Sequence, residues 1–432
     1  MRDKSEILQL VKEEDVEFIR LQFTDLFGTL KNVAVTAGQL ERAMDNQYKF
    51  DGSLLYGDPC RGEEDMYLHP DLDTFAILPW RPQQGKVARL LCDVCKGDGT
   101  PFDADSRSIL KRVLEAAGEK GYQFMVDPEC EFFLFHTDEN GIPTTVTHEK
   151  AGYMDISPLD LGENARRDMV LTLEEMGFEI ESSHHETAPA QHEIDFNCAE
   201  ALKTADSIVT FKTVVRSIAK RHGLHATFMP KPRPGVAGSG MHLTIQLYKD
   251  SQNVVTDSKH KGEVSDEARW FIEGIMNHAK AMCAVTNPLV NSYKRLNSGF
   301  EAPRDIIWTT KNLNALIRVA YDRGEAVGIE LRFPDPSANP YLTLAVCLAA
   351  GMDGIEKRIF PGVMAENCSG NEIDHLPETL WEAVDYMEKD DFMNNTLGRD
   401  FVNTYIASKR AEWNEYMSQV SEWEIEKYLY RT

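Results

Sequence analysis

The chain has 432 residues, with 46 lysines and arginines against 70 aspartates and glutamates, and a formal net charge of −24. This acidic balance argues against binding to nucleic acids or anionic membrane surfaces, because both need clustered positive charge. The length allows two or three domains with a large core, and without an apolar run of about 18 residues or a signal-peptide-like start we expect a cytoplasmic enzyme.

The first hundred residues predict short strands with one or two helices. Apolar runs rich in β-formers lie at residues 16–23, 32–35, 75–80 and 87–94, with a turn at Phe27 and Gly28. Glycine, aspartate, proline and serine then dominate residues 97–106, a composition typical of a connection between domains. We therefore predict a domain boundary there, which divides the chain into residues 1–100 and 101–432.

The rest of the chain alternates strand-like runs with long amphipathic helices, which predicts an α/β or α+β catalytic domain. Helices are predicted at residues 107–118, 163–176 and 204–222, after Ser265, and at residues 341–359, 376–390 and 398–416. Their apolar stripes indicate core packing. Eight cysteines are scattered along the chain, and the CxxC pair Cys92 and Cys95 lies in an apolar run, so we expect reduced structural thiols.

Carboxylates stand among apolar residues in two strand-like runs. In PECEFFLF, Glu129 and Glu131 are two residues apart and point to one face of a strand. Two carboxylates buried on one face repel each other unless a cation lies between them, whereas an edge strand would simply solvate them. In SSHHETAPAQHEIDF, Glu186 and Glu193 flank a proline-containing turn, and the histidines are either metal ligands or polar loop residues.

Three further segments carry candidate groups. The glycine-rich loop at residues 234–240 lets the backbone approach a ligand closely and delivers His242 onto an alternating strand, without the GK[ST] of a P-loop. Glu330 and Arg332 share a strand face, either in a site or as a plain salt bridge. Residues 291–303 form an irregular polar stretch long enough to close over a site.

Together, five carboxylates and one imidazole on strands or tight turns suit two hard divalent cations. Mg²⁺ prefers oxygen ligands, and one histidine leaves room for Mn²⁺. Paired cations with arginines nearby are the usual equipment of phosphoryl transfer. These residues therefore indicate a two-metal site for that chemistry.

Longer segments give the chain a family likeness. PECEFFLF, SSHHETAPAQHEIDF, ATFMPKP, GSGMH, TNPLVNSYKRL, GFEAP and IELRFPDPSANPYL occur in this order, after DGS at residues 51–53 and DMYLHPDLDTFAILPW. In these motifs the chain resembles the bacterial type I glutamine synthetase family over nearly its whole length.

The resemblance implies an α+β fold, with a small N-terminal β-grasp-like domain and a larger catalytic domain whose curved antiparallel sheet is flanked by helices. It implies two or more Mg²⁺ or Mn²⁺ ions per site and ATP as co-substrate. The family phosphorylates the γ-carboxylate of L-glutamate, and ammonia then displaces phosphate to give glutamine. The implied assembly is a homododecamer of two hexameric rings, with sites shared between neighbouring subunits.

The resemblance also implies roles for individual residues. One metal would bind to Glu131, Glu186 and Glu193. The second metal, nearer the nucleotide, would bind to Glu129, His242 and Glu330. The residues implied to bind glutamate are Tyr153, Gly238, Arg295 and Arg332. Arg318 would stabilise the transferring phosphoryl group, and Glu181 and Arg318 would contact the nucleotide. Glu301 would close over the site and help deprotonate ammonium, which Asp51, acting in the site of a neighbouring subunit, would help bind.

Several positions depart from the family pattern. Leu313 and Gly328 stand where the family usually has phosphate-binding arginines, and each lost charge-assisted bond could be worth roughly 1.5–3 kcal/mol. Ala237 replaces an asparagine in the glycine-rich loop. Residues 54–60 differ from the family pattern on the side where ammonium would bind.

These departures keep two alternatives beside glutamate–ammonia ligation, which is our leading hypothesis. The altered loop at residues 54–60 favours a γ-glutamyl ligase that uses an organic amine. The two lost arginines favour a catalytically impaired paralogue that binds metal or glutamine and serves as a regulatory or assembly partner.

Overall fold

The computed structural model describes residues 2–56, 64–81, 84–260, 262–311, 314–362, 364–365 and 373–431. Leu313 and residues 57–60 of the altered loop lie outside these ranges. Within the described ranges, no helix is both long enough and apolar enough to cross a membrane.

The helices of the described chain alternate with strands in a mixed order. The α-helices are α1 (Lys4–Glu13), α2 (Leu40–Met44), α3 (Ser106–Gly118), α4 (Glu163–Glu175), α5 (Ala201–Arg221), α6 (Asp266–Thr286), α7 (Val290–Leu296), α8 (Pro340–Lys357), α9 (Leu380–Lys389), α10 (Asp391–Leu397), α11 (Arg399–Met417) and α12 (Glu422–Tyr428). The strands are β1 (Val16–Thr24), β2 (Leu30–Thr36), β3 (Lys49–Asp51), β4 (Asp65–Ile77), β5 (Lys86–Cys95), β6 (Tyr122–His136), β7 (Ile180–His185), β8 (Gln191–Phe196), β9 (Ala199–Glu200), β10 (Leu224–Thr227), β11 (Met241–Lys249), β12 (Gln252–Asn253), β13 (Trp308–Thr309), β14 (Ile317–Asp322) and β15 (Glu325–Leu331).

The strands form a small N-terminal sheet and a larger second sheet. The small sheet has the order β2-β1-β5-β4-β3, with β1 and β5 parallel. The large sheet has the order β13-β14-β15-β11-β6-β8-β7, with β9 and β10 also paired to β6 and β12 paired to β11. The predicted α+β architecture is confirmed, although the large sheet is mixed because β13 and β14 run parallel. The boundary near residue 100 stays a prediction.

Local signals place most helix starts where the sequence predicts them. Asp105 caps α3 by accepting the Ser108 N–H, and Ser265 caps α6 by accepting the Ala268 N–H. Helix α9 begins at Leu380, four residues later than predicted, because Thr379 supplies its cap after Pro377.

Two predictions of local structure are wrong in extent. Strand β4 covers Asp65–Ile77, whereas residues 75–80 were predicted, because polar residues and a register shift between Asp71 and Ala76 interrupt its alternation. Residues 291–303 are not irregular throughout, since α7 takes up Val290–Leu296. The irregular part is residues 297–303, which we call the flap.

Strict alternation on β11 separates the core from the opposite face of the large sheet. Met241, Leu243, Ile245 and Leu247 are fully buried in the main apolar cluster, which also contains side chains of α5, α6 and α8. His242 and the other even-numbered residues therefore point to the opposite face. Cys92 and Cys95 are buried and free, as predicted.

A histidine links three of the packed helices. His278 of α6 makes hydrogen bonds with Asp390 (2.8 Å) and Asp353 of α8 (3.3 Å), and its ring stacks on Phe392 of α10. Burial alone would lower the pKa of His278, but the two carboxylates outweigh it and raise the pKa above its ordinary value. Lys357 pairs with Asp353 on the outer side. The folded state therefore holds the His278 proton more tightly than the unfolded chain does.

We expect this linkage to make the stabilising effect of His278 depend on pH. Its contribution is fully present below the unfolded pKa of about 6.5 and is lost as the pH rises through the higher folded pKa. His278→Gln should lower the apparent melting temperature by roughly 1–4 °C at pH 6 and by less at pH 9. His260→Gln, at an exposed site, is the control. An effect of His278→Gln that stays constant with pH would contradict the assignment.

Candidate active site

Strand register brings acidic side chains together on one face of the large sheet. Glu129 of β6 lies opposite His242 of β11, and Glu131 lies opposite Glu193 of β8. Directly opposed residues share a face, as do residues two apart on one strand. These four side chains therefore converge, while Cys130 between the two glutamates is buried in the core. Strand β6 lies between β11 and β8, which excludes the edge-strand alternative.

One group of potential metal ligands joins Glu129, His242 and Glu330, with one ligand atom of each within 4.8 Å of the others. His242 Nδ1 lies 3.2 Å from Glu129 Oε2 and 3.7 Å from Glu330 Oε1. Burial would raise the pKa of Glu129, but its hydrogen bond with His242 and nearby arginines lower it. Conversely, Glu129, Glu131 and Glu330 raise the pKa of His242 against the effect of burial. The group favours positive charge, which fits a divalent cation.

A second group joins His184, Glu186 and Glu193. Glu131, which the family resemblance places with these two glutamates, lies opposite Glu193 but is not one of the three grouped residues. His184 Nε2 lies 2.9 Å from Glu186 Oε1. Burial raises the pKa of Glu193, and the charges of Glu131 and Asp195 add to this effect. Burial and Glu186 raise the pKa of Glu131 to about 7, although His242 opposes them. A shared cation would reduce the repulsion between these neighbouring carboxylates and favour their ionised form. This donor set therefore also fits a divalent metal.

Three residues near these groups were not predicted. They are Asp127 and Asp195 on the acidic face, and Gln191 beside it. For His184 the metal-ligand alternative is the one that the grouping favours. The alternation Asp-x-Glu-x-Glu at residues 127–131 and Glu-x-Asp at residues 193–195 was an available signal for the two aspartates. Burial and the charge of Glu181 raise the pKa of Asp127 to about 7. Glu181 itself is exposed on β7.

The glycine-rich loop packs directly against the acidic face. Glu131 Oε2 accepts hydrogen bonds from the Gly240 N–H (2.8 Å) and from Gln191 Nε2 (2.7 Å). Gln191 Nε2 also donates to the Gly238 carbonyl at 3.1 Å. A Cβ at Gly238 would lie 2.2 Å from the Pro230 carbonyl oxygen, so only glycine fits there. The loop is therefore held at a fixed distance from Glu131.

Three arginines line the other side of the face. Arg318 Nε and Arg332 Nε both pair with Glu330, the latter at 3.4 Å, so the salt bridge predicted for Arg332 exists within the cluster. Arg295 is 3% exposed and donates to the carbonyl oxygens of Phe333 (2.9 Å) and Arg332 (3.1 Å). These cations lie where an anionic substrate would meet the acidic face.

A small cavity of about 20 Å³ lies between the acidic face, the glycine-rich loop and the flap. Its lining includes Glu131, Glu186, Gly238, His242, Arg295 and Glu301. Tyr153 stands beside it, with its ring 5.7 Å from the ring of His184. Asp51 is not part of this group. It lies on edge strand β3 of the small sheet, where it accepts hydrogen bonds from Ser53.

Two of the departures from the family pattern can be located. Gly328 lies opposite Ala320, and a Cβ there would meet Thr244 Cγ2 at 2.5 Å. Ala237 is buried in a small apolar cluster with Phe133 and Phe135. An apolar contact thus replaces a polar side chain in the loop.

A separate buried network supports the strand ends that carry Glu186 and Glu193. Glu149 accepts hydrogen bonds from His185 Nε2 (2.7 Å) and from the N–H groups of residues 161 and 162. Arg166 bridges Asp160 (2.8 Å) and His192 Nδ1 (2.9 Å). Against burial, His185 and His192 lower the pKa of Glu149 to about 2. Because an arginine and backbone donors already satisfy these acids, this network does not fit a metal.

Comparisons with known proteins match this chain over nearly its full length. A family model for "Glutamine synthetase, catalytic domain" matches residues 103–428, and one for "Glutamine synthetase, beta-Grasp domain" matches residues 15–97. A glutamine synthetase of Clostridium saccharobutylicum is 56% identical over 99% of this chain and 98% of the relative. One of Staphylococcus epidermidis is 50% identical over the same shares. The β-grasp-like character predicted for the small domain is thereby confirmed.

Solved structures also match this chain closely. A structure titled "GmaS/ADP complex-Conformation 1" superposes with a TM-score of 0.90, at 32% identity, over 99% of this chain and 100% of that one. A structure titled "Apo GmaS without ligand" superposes with a TM-score of 0.89 at the same identity and coverage.

If the acidic face binds cations, removing one of its central carboxylates should weaken that binding. We expect Glu131→Ala to lower the affinity for Mn²⁺ by at least about tenfold, because a ligand-bearing site loses an oxygen donor and its hydrogen bonds to the glycine-rich loop. Calorimetric titration with Mn²⁺ measures this, and circular dichroism checks the fold. Glu139→Ala, at an exposed position, is the control. Unchanged Mn²⁺ affinity in Glu131→Ala would refute the metal assignment.

Proposed function

The chain belongs to the glutamine synthetase family of carbon–nitrogen ligases, and we propose that it joins ammonia to the γ-carboxylate of L-glutamate at the expense of ATP. The convergence of two potential metal-ligand groups beside three arginines carries this proposal, because it suits an anionic acceptor and a triphosphate brought together. The products would be glutamine, ADP and phosphate.

The two ligand groups would hold Mg²⁺ or Mn²⁺. Bound there, the cations would screen the repulsion between the glutamate carboxylate and the triphosphate and polarise the transferring phosphoryl group. His184, Glu186 and Glu193 would hold one cation, with Glu131 opposite Glu193 on the neighbouring strand as a further donor. Glu129, His242 and Glu330 would hold the other.

In the first step, an oxygen of the γ-carboxylate attacks the γ-phosphorus of ATP, and ADP leaves. Arg295 and Arg332 would hold the carboxylates of glutamate. Arg318, adjacent to Glu330, would stabilise the charge on the transferring phosphoryl group, with Glu181 near the nucleotide. The step is needed because a carboxylate is a poor electrophile, whereas the γ-glutamyl phosphate carries a leaving group.

In the second step, ammonia attacks the activated carbonyl carbon and phosphate leaves. Glu301 lines the small cavity together with Glu131 and Arg295, and Glu301 would take the proton from the incoming ammonium. Tyr153 lies outside the lining, next to His184.

Asp51 favours an assembly in which subunits share sites. It lies at the edge of the small sheet, so it would serve the ammonium site of a neighbouring copy. We accordingly propose a homododecamer of two hexameric rings. Analytical ultracentrifugation of the full chain tests this directly.

The amine acceptor is tested by comparing amines, one at a time, as substrates. Glutamate- and ATP-dependent phosphate release should occur with ammonium and be negligible with methylamine, ethanolamine and polyamines. A higher kcat/KM for any organic amine would establish the alternative ligase that the altered residues 54–60 favour. No turnover with any amine would instead favour the impaired paralogue.

The loss of the arginine at position 328 should weaken nucleotide binding. Gly328→Arg combined with Thr244→Ser, which removes the obstructing methyl group, is expected to lower the KM for ATP by about tenfold or more, the equivalent of one charge-assisted bond. Thr244→Ser alone is the matched control. An unchanged KM for ATP in the double variant would show that position 328 does not limit nucleotide affinity.

A further inference from the structure

Lys231 occupies a buried position between the glycine-rich loop and the flap. It is 8% exposed. Its Nζ donates to the Val236 carbonyl and, at 3.0 Å, to Ser298 Oγ, and lies 4.4 Å from the ring centroid of Phe300. The carbonyl, the hydroxyl and the ring face together surround the ammonium group and its three N–H donors.

The backbone of Lys231 is fixed independently of its side chain. Its N–H donates to Asn291 Oδ1 at 2.7 Å, and its carbonyl accepts from Asn291 Nδ2 at 3.0 Å. Asn291 lies in the first turn of α7, the helix that ends just before the flap. These two hydrogen bonds fix the backbone position from which the Lys231 side chain extends to its ammonium group.

The flap itself is strained at the residue that Lys231 contacts. Phe300 has φ of 40°, in the left-handed region that bulky residues rarely adopt, directly before Glu301. Such a conformation is unfavourable and persists only where contacts hold it. Phe300 is half exposed, so burial alone does not hold it, and the Lys231 ammonium group packs on its ring.

The flap lies against the acidic face. Its residues Ser298, Phe300 and Glu301 line one cavity together with Glu131 and Gly238. The contacts of Lys231 with Ser298 and Phe300 therefore hold the flap next to the glycine-rich loop.

We propose that Lys231 is a positioning residue that latches the flap to the glycine-rich loop and thereby sets Glu301 over the site. This inference rests on the proposed function for the role of Glu301, but the latch itself is a property of the free protein. Lys231 acts by holding a strained backbone in place and touches no reacting atom.

Hydrogen exchange of the intact protein without substrates tests the latch. The Ser298 and Ala302 N–H groups are bonded to the carbonyls of Arg295 and Gly299 and report on flap opening. Lys231→Met keeps the length of the side chain and removes its donors, so it should speed exchange there by about tenfold. Lys294→Met on α7 removes a cation that lies 5.1 Å from the Tyr416 ring of α11, and it should leave exchange in the flap unchanged.

Kinetics separate positioning from mere stability. Lys231→Met should lower kcat by about tenfold or more and raise the KM for glutamate, with the KM for ATP unchanged, because the lost contacts lie at the flap and the glycine-rich loop. Phe300→Leu should produce a smaller effect of the same kind. In the double variant the two effects should be less than additive, since one contact is lost only once.

Each outcome decides a different claim. Wild-type protein without glutamate-dependent phosphate release would overturn the proposed function. The hydrogen-exchange rates of the flap would then be the test of the latch. Active wild type with unchanged flap exchange, or unchanged kcat, in Lys231→Met would overturn the latch. If Lys231→Met does not fold by circular dichroism, the same two measurements on Phe300→Leu decide.

Discussion

Repulsion between carboxylates buried on one face of a sheet is the constraint on which this structure depends. Glu131 and Glu193 face each other across β6 and β8, and burial pushes the pKa of both upward. Such a pair is stable only with a cation, a proton or strong hydrogen bonds between its members. Hydrogen bonds from Gly240 and Gln191 to Glu131 meet part of this need, and a bound cation would meet the rest.

The rest of the fold keeps this unfavourable arrangement in register. A slip of one residue on β11 would turn His242 into the core and expose Leu243 and Ile245, at a cost of several buried apolar side chains. The buried network fixes the end of β7 through the bond of Glu149 with His185, and it fixes β8 through the bond of Arg166 with His192. Apolar burial on one side of the sheet therefore holds together the charged groups on the other.

The sequence predicts those parts of the molecule whose residues follow a local pattern, such as the two-residue alternation of a strand or the capping residue of a helix. Alternation places Glu129 and Glu131 on one face, and capping residues such as Asp105 and Ser265 mark helix starts. Pairing between distant strands has no such local signal, so the meeting of Glu330 with His242 came from family resemblance alone. Lys231 was missed because a lysine between two prolines forms no periodic pattern, and its partners lie in other segments.

The groups of the candidate site stand on two kinds of backbone. The potential metal ligands Glu129, Glu131 and His242 project from paired strands, whereas Glu301 and Asp51 stand on a loop and on a short edge strand. Changes in the second set disturb fewer ladder hydrogen bonds than changes in the first. Under the proposed function, peripheral segments could therefore be remodelled toward another nitrogen donor while the strands that carry the metal ligands stay unchanged.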